Sequence, residues 1–70
     1  MTSLALDPAR LREARLSAGL TQKQLAARVG VHPITMTRYE TGQICPRPPI
    51  VSRLASALRC KISDLANISS

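Results

Sequence analysis

The chain has only three glycines, Gly19, Gly30 and Gly42, and each closes a run that opens on helix-initiating residues. Asp7-Pro8 opens the first run: the aspartate is a cap, and proline at the first helical position lacks an N–H that would be unpaired there anyway. Thr21 opens the second run, with Gln24 three residues on, the pattern of a capping box. Pro33 opens the third. Glycine just past a last turn takes the left-handed conformation that ends a helix without a Cβ clash. Helices this short are marginal alone and hold by packing against one another. Only Val31 and His32 stand between Gly30 and Pro33, so the second and third helices must meet at a tight angle.

The third run, HPITMTRYETG from His32 to Gly42, pulls two ways. Its threonines, isoleucine and tyrosine are poor helix formers and favour a strand. Wound as a helix, Met36 and Tyr39 fall on one side with Thr35 beside them, and Pro33, Ile34, Thr37, Arg38 and Thr41 fall on the other. Alternation as a strand separates nothing. The helical period sorts the residues better, and caps and packing outweigh weak propensity.

Seventy residues make one small domain, from Asp7 to Ala66 (7–66), with 1–6 and 67–70 as flexible termini. Tyr39 is the only aromatic residue, so the core must be Leu, Ile, Val, Ala and Met. In the first helix Leu11 and Ala14 face inward, with Leu16 and Ala18 at the margin. Leu25, Ala26 and Val29 face inward in the second. QICPRPP, Gln43 to Pro49, is a stiff linker because its prolines restrict the backbone. A fourth helix runs from about Ile50 to Leu58, with Val51, Leu54, Ala55 and Leu58 inward. A short fifth helix starts after Ser63 and holds Leu65. The fold class is all-α.

The net charge of +6 favours a polyanionic partner, most often nucleic acid, over solubility alone. Cys45 and Cys60 form no C-x-x-C pair and stand apart from the single histidine, so no zinc site is expected. With one histidine and four acidic residues the chain offers no nucleophile–base–orienter set: no catalytic residue, metal or cofactor is expected, and the chain is read as a non-enzyme. The opening MTSLALDP lacks the basic start and apolar length of a signal peptide, and nothing spans a membrane. A cytoplasmic location is the default.

The order helix, GLTQKQLAARVGV, helix, YETG, proline-containing linker, LASALRCKISDL resembles the Cro/repressor, or XRE, family of lambda-repressor-like helix-turn-helix domains, over roughly Leu11 to Leu65. The resemblance implies a five-helix bundle whose second and third helices form the helix-turn-helix, with the third in the DNA major groove. Carried over by position, His32, Pro33, Ile34, Thr37 and Arg38 face bases or groove. Gln22 matches a phosphate-binding glutamine, and the stretch from Thr41 through Gln43 to Arg47 matches a loop along the DNA backbone. Arg15 and Glu40 match an ion pair tying the first helix to the end of the third.

The chemistry of the residues agrees. Arg38 can donate twice to guanine, and Ile34 and the Thr37 methyl can pack on a thymine methyl. The alternatives are a solvated arginine and an ordinary surface isoleucine. Pro33 and Ile34 stand where relatives carry Gln, Ser or Thr, which reduces hydrogen-bonded readout. His32 replaces a small N-cap, leaving a phosphate contact when protonated, a weak cap or a solvated ring. Arg59 stands where glycine would be easier, and Cys60 where a small apolar residue is usual. The expected function is sequence-specific DNA binding in transcription regulation, as a repressor on a palindromic operator. The partners are double-stranded DNA and a second subunit held weakly around Ile44, Ile62 and Ile68. The alternative is an antitoxin or adaptor whose main partner is another protein.

Overall fold

Each early helix begins at the cap its sequence offers. In the computed structural model, which describes residues 3–69, α1 spans Pro8–Ser17, and Asp7 Oδ1 accepts the Ala9 N–H at 3.0 Å. Helix α2 spans Gln22–Val29; Thr21 Oγ1 accepts the Gln24 N–H at 3.1 Å and Gln24 Oε1 accepts the Thr21 N–H at 2.9 Å, a reciprocal capping box. Helix α3 spans Pro33–Thr41. Gly30 and Gly42 close α2 and α3 in the left-handed region, at φ 77° and 79°.

Helices α4 (Pro48–Leu58) and α5 (Ile62–Leu65) start earlier than the sequence reading places them. The φ of Pro48 and Pro49 already suits a helix, so both join the first turn of α4, and the Val51 N–H reaches the Arg47 carbonyl at 3.1 Å. The linker therefore shortens to 43–47. At α5, Asp64 Oδ2 accepts the Lys61 N–H at 3.0 Å, which fixes the start at Lys61 rather than after Ser63.

The ends of the domain also differ from the expected flexible termini. Strand β1 (Ser3–Leu6) pairs antiparallel with β2 (Ala66–Ser69), Leu6 opposite Ala66 and Leu4 opposite Ile68. Leu6 and Ala66 are both buried, and the Asp7 N–H donates to the Leu65 carbonyl at 2.9 Å, so the ribbon grows directly from α1 and α5.

The helices share one core. Leu11, Leu25, Met36, Leu54 and Leu65 are fully buried, one from each helix in order. Ala26, Val29, Tyr39, Val51, Ala55 and Leu58 pack around them. Leu16 is not at the core margin: it is 56% exposed, and Arg15 takes the inward place one turn after Leu11.

Arg59 ends α4 with φ 54°, the one non-glycine residue at positive φ among the described residues. A Cβ in that region costs about 1 kcal/mol or more. Arg59→Gly is expected to raise stability by about 1 kcal/mol, which for a domain this small lifts the thermal midpoint by roughly 4–8 °C. Thermal unfolding followed by circular dichroism checks this, and Gly30→Ala should move the midpoint the opposite way.

Candidate nucleic-acid interface

The site is built on a buried charge. Arg15 of α1 donates from Nε to Glu40 Oε2 at 2.7 Å and from Nη2 to Oε1 at 3.1 Å, a bidentate pair. The two side chains are only 10% and 2% exposed. The third face of the guanidinium donates from Nη1 to the Leu20 carbonyl, in the turn between α1 and α2, at 2.8 Å. Burying two charges costs several kcal/mol unless every remaining polar atom is paired, and here they are.

Glu40 reaches further. Its Oε1 also accepts from Gln22 Nε2 at 3.3 Å, and Gln22 Oε1 accepts from the Thr37 hydroxyl at 2.9 Å. The amide of Gln22 is thereby oriented: nitrogen toward the carboxylate, oxygen toward the hydroxyl. The reverse would set two acceptors face to face at Glu40. One N–H of that amide remains for another partner. The bidentate pair follows the sequence reading, but the Gln22–Thr37 link does not appear there. Its signal is weak, since residues 22 and 37 meet only through the angle between α2 and α3.

His32 resolves as the cap of α3, its Nδ1 accepting the Ile34 N–H at 3.1 Å. Ile34 is 57% exposed, and Thr37, Arg38 and Thr41 lie exposed on α3, with Pro33 half-buried. Arg38 has no side-chain partner among the described residues. After Gly42 the chain folds back, the Gln43 N–H donating to the Arg38 carbonyl at 3.0 Å. Gln43 and Arg47 are exposed, while Pro46 between them is buried and anchors the loop. Of the positions read as facing DNA, the structure joins Gln22 to Thr37, and it leaves Ile34, Arg38, Thr41, Gln43 and Arg47 open to solvent.

The helix-turn-helix family profile matches residues 11–65. The chain belongs to that family, in its XRE type. Curated proteins and solved structures match over most of the domain. An uncharacterized HTH-type transcriptional regulator of Methanothermobacter thermautotrophicus is 44% identical over 56 residues, 79% of this chain and 81% of that one. Vegetative-specific protein H7 of Dictyostelium discoideum is 33% identical over 55 residues, 79% of this chain, which spans about half of that protein, 53%. Among solved structures, the restriction-modification controller protein C.AhdI from Aeromonas hydrophila superposes with a TM-score of 0.78 at 32% identity, covering 81% of this chain and 86% of that one. The P22 c2 repressor, solved in complex with a synthetic operator, gives a TM-score of 0.76 at 25% identity, covering 80% and 85%.

No group of three or more His, Cys, Asp or Glu residues among those described could hold a metal, and no helix is long and apolar enough to cross a membrane. Both thiols are free. Cys45 is exposed in the loop, whereas Cys60 packs partly against the core. Burial, and the Asp64 carboxylate nearby, push the Cys60 thiol up from its ordinary value.

Two outcomes follow from this helix-turn-helix. Glu40→Ala strands the Arg15 charge and should destabilise by about 3–5 kcal/mol, read from urea unfolding. Iodoacetamide near neutral pH should label Cys45 well before Cys60, because Cys60 is shielded and forms its thiolate only at higher pH; peptide mass mapping over time checks the order.

Proposed function

We propose that this helix-turn-helix protein is a sequence-specific regulator of transcription, a repressor that sets α3 in the DNA major groove at a palindromic operator. The observation that carries this reading is the exposed side of α3. Its one acidic residue, Glu40, is turned inward against Arg15, which leaves Ile34, Thr37, Arg38 and Thr41 facing outward with a positive balance. Beside them Gln22 offers one oriented N–H, aimed by its bonds to Glu40 and Thr37. In this reading Gln22, Thr41, Gln43 and Arg47 hold phosphates and set the register, while Arg38 reads guanine and Ile34 and Thr37 meet thymine methyls. His32 caps the helix and Pro33 starts it, so both sit at the groove as structure rather than as hydrogen-bonding readers.

One α3 spans too few base pairs to select an operator, so two subunits occupy half-sites about 34 Å apart. Ile44 and Ile62, 42% and 39% exposed, are the described residues we assign to that contact. The side chain of Ile68, the third residue of this surface, lies outside the described residues. So little apolar surface makes the contact weak without DNA.

Selection from a random duplex pool, followed by fluorescence-anisotropy titration, tests the reading. Affinity should fall steeply with salt. Gln22→Ala should weaken selected and scrambled duplexes alike, and Arg38→Ala should cost about 1–3 kcal/mol on the selected duplex only. Equal losses on both duplexes would remove Arg38 as a base reader. Sedimentation should show a free monomer at micromolar concentration and a two-to-one complex with the palindrome; a one-to-one complex at saturation removes the dimer.

A further inference from the structure

On the flank of the bundle formed by α2 and α4 there is an open, shallow concavity. It has a volume of about 360 Å³ and is lined by Arg28, Ser52, Arg53, Ser56 and Ala57. Its lining has no large apolar side chain, and its polar groups are two guanidinium and two hydroxyl groups. Arg28 comes from the last turn of α2, Ser52, Arg53 and Ser56 from the exposed side of α4, and Ala57 from its margin, partly buried against the core. Neither arginine has an ion pair or side-chain hydrogen bond among the described residues.

The acidic residues of the chain are all engaged or placed elsewhere. Asp7 lies 3.8 Å from Arg10, Glu40 is held by Arg15, Asp64 caps α5, and Glu13 lines a different groove beside Pro8 and Leu16. Two guanidinium groups thus share one concavity with two hydroxyl groups and no internal counter-charge. Like charges brought to one cleft repel, and an anion placed between them removes that repulsion. The donor set favours phosphate over carboxylate, because two planar forks and two hydroxyls supply more donors than two carboxylate oxygens can use.

We propose that the α2–α4 cleft is a binding site for a phosphate group, held by Arg28 and Arg53 with Ser52 and Ser56 as hydroxyl donors. The proposal is independent of the operator reading. The phosphate could be carried by a free phosphorylated small molecule or by a stretch of DNA backbone remote from α3, and the test separates these sources.

Pyrophosphate is the probe. It is titrated into labelled protein at constant ionic strength, with chloride as the reference, and followed by ¹H–¹⁵N NMR. Saturable shifts should appear at the Arg28 and Arg53 side-chain Nε–H groups and at the Ser52 and Ser56 amides. The double variant Arg28→Ala/Arg53→Ala should bind pyrophosphate about tenfold more weakly or worse, since each charge-assisted hydrogen bond is worth roughly a factor of ten. Arg28→Lys/Arg53→Lys should fall between the two, because it keeps charge and loses the fork. Both arginines are exposed, so the thermal midpoint should stay put and separate lost binding from lost fold. DNA affinity of the double alanine variant assigns the source: unchanged affinity assigns the cleft to a free phosphorylated ligand, and a weaker complex with a shallower salt dependence assigns it to the DNA backbone. Superimposable pyrophosphate and chloride titrations overturn the proposal, as does a double alanine variant that binds pyrophosphate like the wild type.

Discussion

The Arg15–Glu40 pair is the constraint on which the rest of the arrangement depends. It fastens α1 to the last turn of α3, and through the Leu20 carbonyl and Gln22 it fastens the turn and start of α2 as well. A hydrophobic contact could hold the same helices at similar strength, but it is non-directional and would not fix their rotation. A bidentate ion pair permits one geometry. That directionality matters here because it sets the rotation of the helices that carry Gln22, Thr37 and Arg38.

The apolar core does the complementary work. Each of the five helices contributes one large, fully buried side chain, and no Phe or Trp fills the centre. With small residues the helices approach closely, and the area buried per helix is modest. The caps therefore matter more than in a larger domain: each is worth about 1 kcal/mol, and native stability as a whole is only about 5–15 kcal/mol. Even His32, a poor replacement for serine or aspartate, is recruited through Nδ1.

Much of this was legible in the sequence because it is local. Glycine and proline mark backbone conformations that few other residues adopt, so the ends of the first three helices could be read directly. The buried stripes of α2 and α4 follow from the 3.6-residue period. What failed was also physical. Pro48 and Pro49 read as linker because proline breaks a helix everywhere except in its first turn, and only the structure says which turn they occupy. The ribbon at 3–6 and 66–69 needs partners separated by nearly the whole chain, and no local pattern carries that. At the candidate interface, the family resemblance picked out Gln22, Thr37 and Arg38 one by one. Their connection needed coordinates, as did the Arg28–Arg53 cleft, whose residues are scattered along two helices.

The hydroxyl of Thr37 has one proton and two acceptors inside the protein, Gln22 Oε1 at 2.9 Å and the Pro33 carbonyl at 3.2 Å. Whatever meets α3 from outside therefore finds a lone pair at position 37 and donors at position 38: the polarity of the surface reverses between neighbouring residues. The arrangement also works in the other direction. Valine in place of Thr37 would keep the shape of the helix but withdraw the proton that holds the amide oxygen. Nothing but Glu40 would then set the sense of the Gln22 amide, and a group on α2 would lose part of its aim through a change made on α3.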